Sequence, residues 1–409
     1  MLNKKTLLQV AQIICATNIF EWYEFTISGY LAFVIGHLFF PHTSNGIAII
    51  ESFATFALSY TIRPIGALIW GHLADKYGVK MVLKNTILLM TIPTFLIGLL
   101  PTYRQIGIIA TIALISIRII QGFAAGGELP ASMTYLHEWS ITSKYKNFIC
   151  SLVNFGGLFG VLLSSFIIFL LYLSFSENTI LAWAWRLPFL IGLPLSVIII
   201  YLRRGLVTPD QIAIKLNDAK ITTKFWLSVV RIFILIGFLQ VNLYIEMVWM
   251  PTYLVHFLSV PQMYARLTNT LSLVTLIMLT LLFGFLGSKF NYKKMLLSSV
   301  VLLTFVSYPL FALLNHAEFA TLLAIQLIFA TLIAVIEGTF VLIMCDLFKS
   351  KNKNLGMAIG FVIPSAIFGG SAPLICSYFI YSLNFVNFPG LYIFIFGLFA
   401  LPVAISLYK

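Results

Sequence analysis

Charged residues are what this 409-residue sequence has least of: Asp, Glu, Lys and Arg make up 9% of it, and only 13 residues are acidic. A soluble domain carries about 25% charged residues, so a water-facing surface is excluded for most of the chain. Cysteine is nearly as scarce. Cys15, Cys150, Cys345 and Cys376 lie singly in apolar stretches without CxxC spacing, which excludes a disulfide framework and a zinc cluster. Strand-like alternation is missing, and with it the ~10-residue alternating segments of a membrane β-barrel. No glycine-rich phosphate loop, nucleophile motif or cluster of metal ligands occurs, so the chain does not read as an enzyme and calls for no cofactor beyond a proton as coupling ion.

What the chain has in quantity is apolar length. It is 60% hydrophobic, with a mean hydropathy of +1.01. A helix needs about 20 apolar residues to cross a bilayer. Segments of that kind fall at 8–36, 47–73, 82–100, 106–133, 148–174, 183–202, 227–256, 267–288, 294–314, 319–346, 355–382 and 388–408. The expected fold is an all-α polytopic membrane protein of twelve transmembrane helices. Lys4 and Lys5 before an apolar run look like a signal peptide, but the run is long, carries Glu21 and Glu24, and lacks a cleavage site, so it reads as a retained first span. The one long polar break, 203–226, divides the chain into a six-span half, 1–202, and a second, 227–409.

Charge location fixes the expected orientation. With the N-terminus inside, twenty of the 25 Lys and Arg residues fall in inner segments, against Arg104 and Arg266 outside and Arg63, Arg118 and Arg186 within spans. Basic residues collect on the cytoplasmic side, which places both termini and the central loop there. The net charge of +12 is therefore a topology signal and not a nucleic-acid footprint. The halves also repeat: residues 71–83 (GHLADKYGVKMVL) recur weakly as 284–296 (GFLGSKFNYKKML), 213 residues later. Parallel six-span repeats with a binding site at the midplane are a transporter architecture.

Ionisable groups at membrane depth are costly and mark substrate or proton paths. The densest such stretch is 118–138, RIIQGFAAGGELPASMTYLHE, whose Gly122, Gly126 and Gly127 also thin the helix for a close neighbour. In the first span Asn18, Glu21, Phe25 and Ser28 share a stripe with Glu24 at its edge. Counting ~1.5 Å per residue, Glu21 and Arg118 both come out near the midplane. An arginine keeps its proton whereas a carboxylate in a partly dry site titrates. Arg118, with Gln121 one turn on, is thus the candidate for a substrate carboxylate, and Glu21 or Glu24 for the coupling proton. The competing reading is a permanent Glu–Arg brace. Glu128, ten residues beyond Arg118, lies at a depth similar to Arg63 and is expected to pair with it structurally. In the second half Asn242, Glu246 and Trp249 share a face, and Glu337 stands alone in the tenth span; each acid is either silent or a second coupling group.

With these residues in hand, the chain resembles the major facilitator superfamily. Gly71, Asp75, Gly78 and Lys80 match that superfamily's loop 2–3 signature; Lys76 and Val79 stand where arginine is usual, and Ser288 replaces the aspartate in the second copy. Within it the chain resembles the metabolite:proton symporters, the group of α-ketoglutarate, shikimate, citrate and proline/betaine permeases. The matching pieces are EWYEF at 21–25, RPIGA at 63–67, TFLIGLLPTY at 94–103, RIIQG at 118–122 with GGE at 126–128, and WRLPF at 185–189. Glu24 takes the place of that group's usual aspartate.

The resemblance implies two pseudo-symmetric six-helix bundles in a bacterial inner membrane, working as a monomer by alternating access. It implies proton-driven uptake of a small polar solute bearing a carboxylate: an amino acid or betaine zwitterion, or an organic acid. Partners are then the solute, protons and the lipid bilayer, and no nucleic acid. The alternatives are a proton-coupled exporter of a metabolite, siderophore or drug, and a non-transporting receptor on the same fold. In transporters of this kind the loop 2–3 signature latches the two bundles. That assigns a gating role to Asp75, Lys76, Gly78, Lys80 and Glu138, with Lys80 facing Glu138, and to Lys293 with Asp346 as the pseudo-symmetric counterpart.

Overall fold

Backbone N–H and C=O groups of an apolar span have no water to bond, and a helix satisfies them internally. The computed structural model follows that rule. It describes residues 4–40, 45–206, 223–316, 318–348 and 352–408, so most of the expected central loop, 207–222, lies outside the described residues. Among the described residues twelve long helices follow one another: α1 Lys4–Tyr30, α2 Asn45–Tyr77, α3 Val79–Leu99, α4 Ile108–Ser140, α5 Lys146–Ser174, α6 Arg186–Arg204, α7 Thr223–His256, α8 Gln262–Lys289, α9 Tyr292–Leu313, α10 Phe319–Leu347, α11 Lys353–Leu383 and α12 Phe388–Tyr408. The described residues contain no strand. From α3 onward every one of these helices is long and apolar enough to cross a membrane.

Sidedness is inverted relative to a soluble protein. Leu173, Leu374 and Tyr381 are more than two-thirds exposed, while Glu21, Glu24, Arg118 and Glu128 are buried. Apolar side chains outside and ionisable ones inside suit a hydrocarbon solvent.

Contacts divide the chain into two compact units. The first is Met1–Trp139, Val153–Leu216 and Lys351–Ala358; the second is Ser140–Leu152, Asn217–Ser350 and Ile359–Lys409. The start of α5 groups with the second unit and the start of α11 with the first. Within the first unit α1 and α3 pack on α6, and α2 crosses α4 at very short range. Glycine makes that crossing possible: a Cβ on Gly122 would strike the Ser59 carbonyl, one on Gly126 the Arg63 carbonyl, and one on Gly66 the Phe123 carbonyl. Ser59 Oγ then donates to the Arg118 carbonyl at 3.2 Å, tying α2 to α4 beside the buried arginine. Close backbone approach of this kind takes the place of the hydrophobic effect, which is absent between helices in lipid.

Within the second unit α9 lies along α12 and α8 along α10. Asn147 Nδ2 donates to the carbonyls of Gly284 and Gly338, each at 2.9 Å, and so fills the break in α10 at Gly338–Thr339. Gln326 Nε2 donates to Thr268 Oγ1 at 2.9 Å and cross-links α10 to α8.

The α2–α4 crossing has a direct test. Gly126→Ala forces a methyl against backbone atoms that have no side-chain freedom, and overpacking costs typically 1–3 kcal/mol. Gly370→Ala is the control, since nothing lies within 4 Å of its added Cβ. The thermal midpoint in detergent is expected to fall by several degrees for Gly126→Ala and to stay within a degree or so for Gly370→Ala.

Candidate functional site

The site is built on α1. Its polar stripe is wholly internal: Asn18, Glu21, Glu24, Phe25 and Ser28 are all at most 3% exposed. Two anchors fix its rotation. Tyr23 donates its hydroxyl to the Pro188 carbonyl on α6 at 2.9 Å, and Thr26 shares a 2.6 Å hydrogen bond with Ser164 on α5. Asn18 Nδ2 donates to the Ile14 carbonyl one turn back, which leaves its Oδ1 without a partner. Glu21 Oε2 and both carboxyl oxygens of Glu24 are buried with no hydrogen-bond donor.

Both acids border one small cavity, lined by Thr17, Phe20, Glu21, Glu24, Ile87, Met90, Glu128 and Arg203, with a volume of about 10 Å³. That is room for about one water molecule. The charged neighbours of Glu21 are Glu128, Arg63 and Arg203.

Arg118 is 2% exposed, and among the described residues no carboxylate lies in ion-pair range of it. Its Nη1 donates to Gln121 Oε1 at 3.0 Å, Gln121 Nε2 donates to Thr94 Oγ1 at 2.7 Å, and Thr94 Oγ1 donates to the Met90 carbonyl at 2.8 Å. The permanent Glu–Arg brace does not form; a neutral relay aims the guanidinium instead. An arginine in this setting keeps its charge and has donors left for a carboxylate, which it binds in a two-pronged geometry.

The expected Glu128–Arg63 pair is corrected. Glu128 pairs with Arg203, whose Nη2 donates to Oε1, while Thr86 Oγ1 donates to Oε2. Arg203 further donates to the Leu83 carbonyl and, at 3.2 Å, to Thr17 Oγ1. Arg63 lies among aromatic rings: its guanidinium carbon is 3.9 Å from the centroid of Phe25, 4.6 Å from Tyr60 and 5.7 Å from Trp22. Stacking of this kind suits arginine's flat, weakly hydrated cation. Arg203 was hidden in the sequence by Arg204, because a basic pair ending a span reads as a loop. Its helical phase tells otherwise: Gly192, Ser196, Ile199 and Arg203 form one buried face of α6.

At the ends of the helices the expected partners are also exchanged. Asp75, near the end of α2, accepts from the backbone N–H groups of Asn354 and Leu355 at 3.0 Å each and from Asn354 Nδ2 at 2.8 Å. A carboxylate at the start of α11 meets free N–H groups and the positive end of the helix. Burial pushes the Asp75 carboxyl above its ordinary range, and those three donors work against the shift. Glu138 pairs with Lys353 and not with Lys80. Asp346 accepts from Lys146 Nζ at 2.8 Å and from Tyr292 Oη at 2.9 Å, where the sequence had suggested Lys293. Gly78 holds a φ of +89°, which only glycine adopts without strain. Lys76 Nζ stands 5.0 Å over the Tyr77 ring.

In the second unit Asn242, Glu246 and Trp249 are buried on α7, which loosens into a π-helical turn over Tyr244–Trp249. Asn269 Nδ2 donates to the Met247 carbonyl in that turn at 3.3 Å, and Trp249 Nε1 donates to Ser377 Oγ at 3.1 Å. Both Glu246 carboxyl oxygens are buried without a donor. Glu337 is buried directly before the Gly338–Thr339 break in α10.

Comparison with known proteins places this geometry. The model of the Major Facilitator Superfamily matches residues 25–372. The glycine betaine/proline/ectoine/pipecolic acid transporter OusA of Dickeya dadantii is 30% identical over 393 residues, covering 92% of this chain and 78% of that protein. A putative proline/betaine transporter of Staphylococcus haemolyticus is 32% identical over 388 residues, covering 92% and 82%. The proline/betaine transporter of Escherichia coli K12 is 29% identical over 407 residues, covering 95% and 81%. Among solved structures the proton:xylose symporter XylE superposes with a TM-score of 0.79 at 14% identity, over 100% of this chain and 96% of that one. The chain belongs to the major facilitator superfamily: it is a multi-pass membrane transporter of helical fold, and not an enzyme.

Removing one member of a buried ion pair strands the other, at about 3–5 kcal/mol, whereas replacing both by apolar groups is often neutral. Arg203→Met alone is therefore expected to destabilise strongly, and Arg203→Met with Glu128→Leu to recover most of the loss. Unfolding of both variants in the same detergent checks this; equal losses would show that the pair is not the reason Arg203 is buried.

Proposed function

We propose that this member of the major facilitator superfamily is a proton-coupled symporter that imports a small zwitterion of the proline or betaine type. The observation that carries the reading is a buried Arg118 without a carboxylate partner among the described residues, in the same unit as buried Glu24, both of whose carboxyl oxygens lack a donor, and buried Glu21, whose Oε2 lacks one. Burying uncompensated charge is expensive, and a ligand that completes the site is a physical reason for keeping it. The relatives' names, proline/betaine transporter among them, support the substrate class.

In this reading Arg118 binds the substrate carboxylate, Gln121 holds its side chain in place through Thr94, and Asn18 offers its free Oδ1 to the bound solute. Glu21 or Glu24 carries the coupling proton. Asn242, Glu246, Trp249 and Glu337 serve as a second polar group in the other unit, while Asp75, Glu138 and Asp346 take part in gating. The functional halves are six helices each, 1–202 and 227–409, joined through 203–226, in a monomer with both termini on the cytoplasmic side of a bacterial inner membrane. Import follows alternating access.

Proteoliposomes loaded with the purified chain test this. Labelled proline, glycine betaine and α-ketoglutarate are offered with and without an inward proton gradient. Gradient-stimulated uptake of at least one zwitterion is expected. Arg118→Ala lowers it by about 10–100-fold, the worth of charged hydrogen bonds, and Arg118→Lys recovers only part. In Glu21→Gln or Glu24→Gln, counterflow outlasts gradient-driven accumulation. Wild-type uptake indifferent to the gradient, or untouched by Arg118→Ala, sinks the reading.

A further inference from the structure

We propose that Glu128, positioned by Arg203, receives the coupling proton from Glu21 across the water-sized cavity and passes it out of the apolar bundle. This rests on the reading of Glu21 as a proton carrier and adds the step that follows it.

The geometry provides the parts. Glu21 on α1, Glu128 on α4 and Arg203 on α6 line one cavity of about 10 Å³ together with Thr17 and Glu24. Glu21 Oε2 has no donor, and a water in the cavity is the proposed bridge from it to the Glu128–Arg203 pair. The charged and titratable groups facing Glu21 are Glu24 from its own helix, Arg63 from α2, Glu128 from α4 and Arg203 from α6. Arg63 is held by the rings of Phe25, Tyr60 and Trp22, which leaves Arg203 as the cation inside the cavity wall.

The step balances. The O–H bond of the Glu21 carboxyl breaks as its proton passes to the water, and that water gives a different proton to a Glu128 oxygen. Glu21 ends as a carboxylate and Glu128 as a neutral acid. Arg203 keeps its proton throughout, and its counter-charge moves from Glu128 to Glu21. The three groups carry no net charge before or after, so the bundle never holds an uncompensated ion, the state that makes buried charge costly. Arg203 does not depend on Glu128 for its place, because Leu83 and Thr17 also accept from it. Thr86 also donates to Glu128.

The direction of travel follows from the helices. Glu128 lies ten residues beyond Arg118 on α4, about 15 Å along its axis. Arg203 adjoins Arg204 and Gly205, which are exposed. The relay therefore carries a proton from Glu21 toward the end of α6.

The test uses the full chain in proteoliposomes with trapped pyranine as the internal pH indicator and labelled proline and glycine betaine as probes. The double variant Glu128→Gln/Arg203→Gln removes both charges together and so avoids stranding either. It is expected to keep counterflow within about three-fold while losing gradient-driven accumulation and solute-coupled internal acidification at least ten-fold. Accumulation as in the wild type overturns the proposal, and so does an equal loss of counterflow and accumulation, which marks a structural pair. Thr86→Val is the second measurement, with all charges left in place: solute-coupled internal acidification is expected to fall while counterflow is kept, and unchanged acidification overturns the relay. A wild type that shows no gradient-stimulated uptake of either probe is a distinguishable result, and it overturns the symport reading along with this one.

Discussion

An ion in a low-dielectric interior must be met by an opposite charge or by directed dipoles, and that constraint sorts the buried residues of this transporter into two kinds. Arg203 and Glu128 answer each other, with Thr86, Thr17 and the Leu83 carbonyl filling the remaining positions. Asp75 is answered by three N–H donors at the start of α11. These are completed arrangements. Glu21, Glu24 and Glu246 keep oxygens without donors, and Arg118 has a glutamine where a carboxylate belongs. Incompleteness at such cost has a reason only if another species completes it part of the time.

Packing sets where that incompleteness falls. The α2–α4 crossing depends on Gly66, Gly122 and Gly126, and the same crossing brings Ser59 onto the Arg118 carbonyl and Arg63 into its aromatic cluster. A helix pair held apart by one methyl would move both arginines together. On the other side, Tyr23 and Thr26 lock α1 against α6 and α5, so the rotation that turns Glu21 and Glu24 inward is fixed by neutral hydrogen bonds that do not titrate with the acids. The scaffold of the site is thus insulated from its chemistry.

The sequence was legible where physics is local and silent where it is not. Among the described residues the twelve apolar segments are twelve long helices, ten of them long and apolar enough to cross a membrane, because hydrocarbon leaves an apolar helix no better way to satisfy its backbone. The inward stripe of α1 followed from helical phase, and the glycines of α4 from their spacing. Partner choice did not follow. Lys353 takes Glu138, Lys146 takes Asp346, and Arg203 takes Glu128, and each partner is distant in sequence, where depth along the chain says nothing about lateral neighbours. Arg203 is the instructive case. Read as one of a basic pair it belongs in a loop, where such side chains reach for water, yet its phase with Gly192, Ser196 and Ile199 already put it on the buried face. The π-helical turn at Tyr244–Trp249 had no such signal, since it rests on Asn269 from another helix.

The same electrostatics bear on how a solute and a proton travel together. In the proposed reading Arg118 is positive before the solute arrives and is the one member of the site that keeps its charge throughout. A substrate carboxylate cancels that charge, so its arrival strengthens proton binding at the acids of the same unit. Linkage is reciprocal: a proton already on Glu21 or Glu24 removes a negative charge that would repel the carboxylate, and so strengthens solute binding by the same factor. Solute and proton therefore favour each other on one helix bundle without any contact between them, which is the thermodynamic requirement for symport. The cationic end of a zwitterion weakens this coupling to the extent that it approaches the acids.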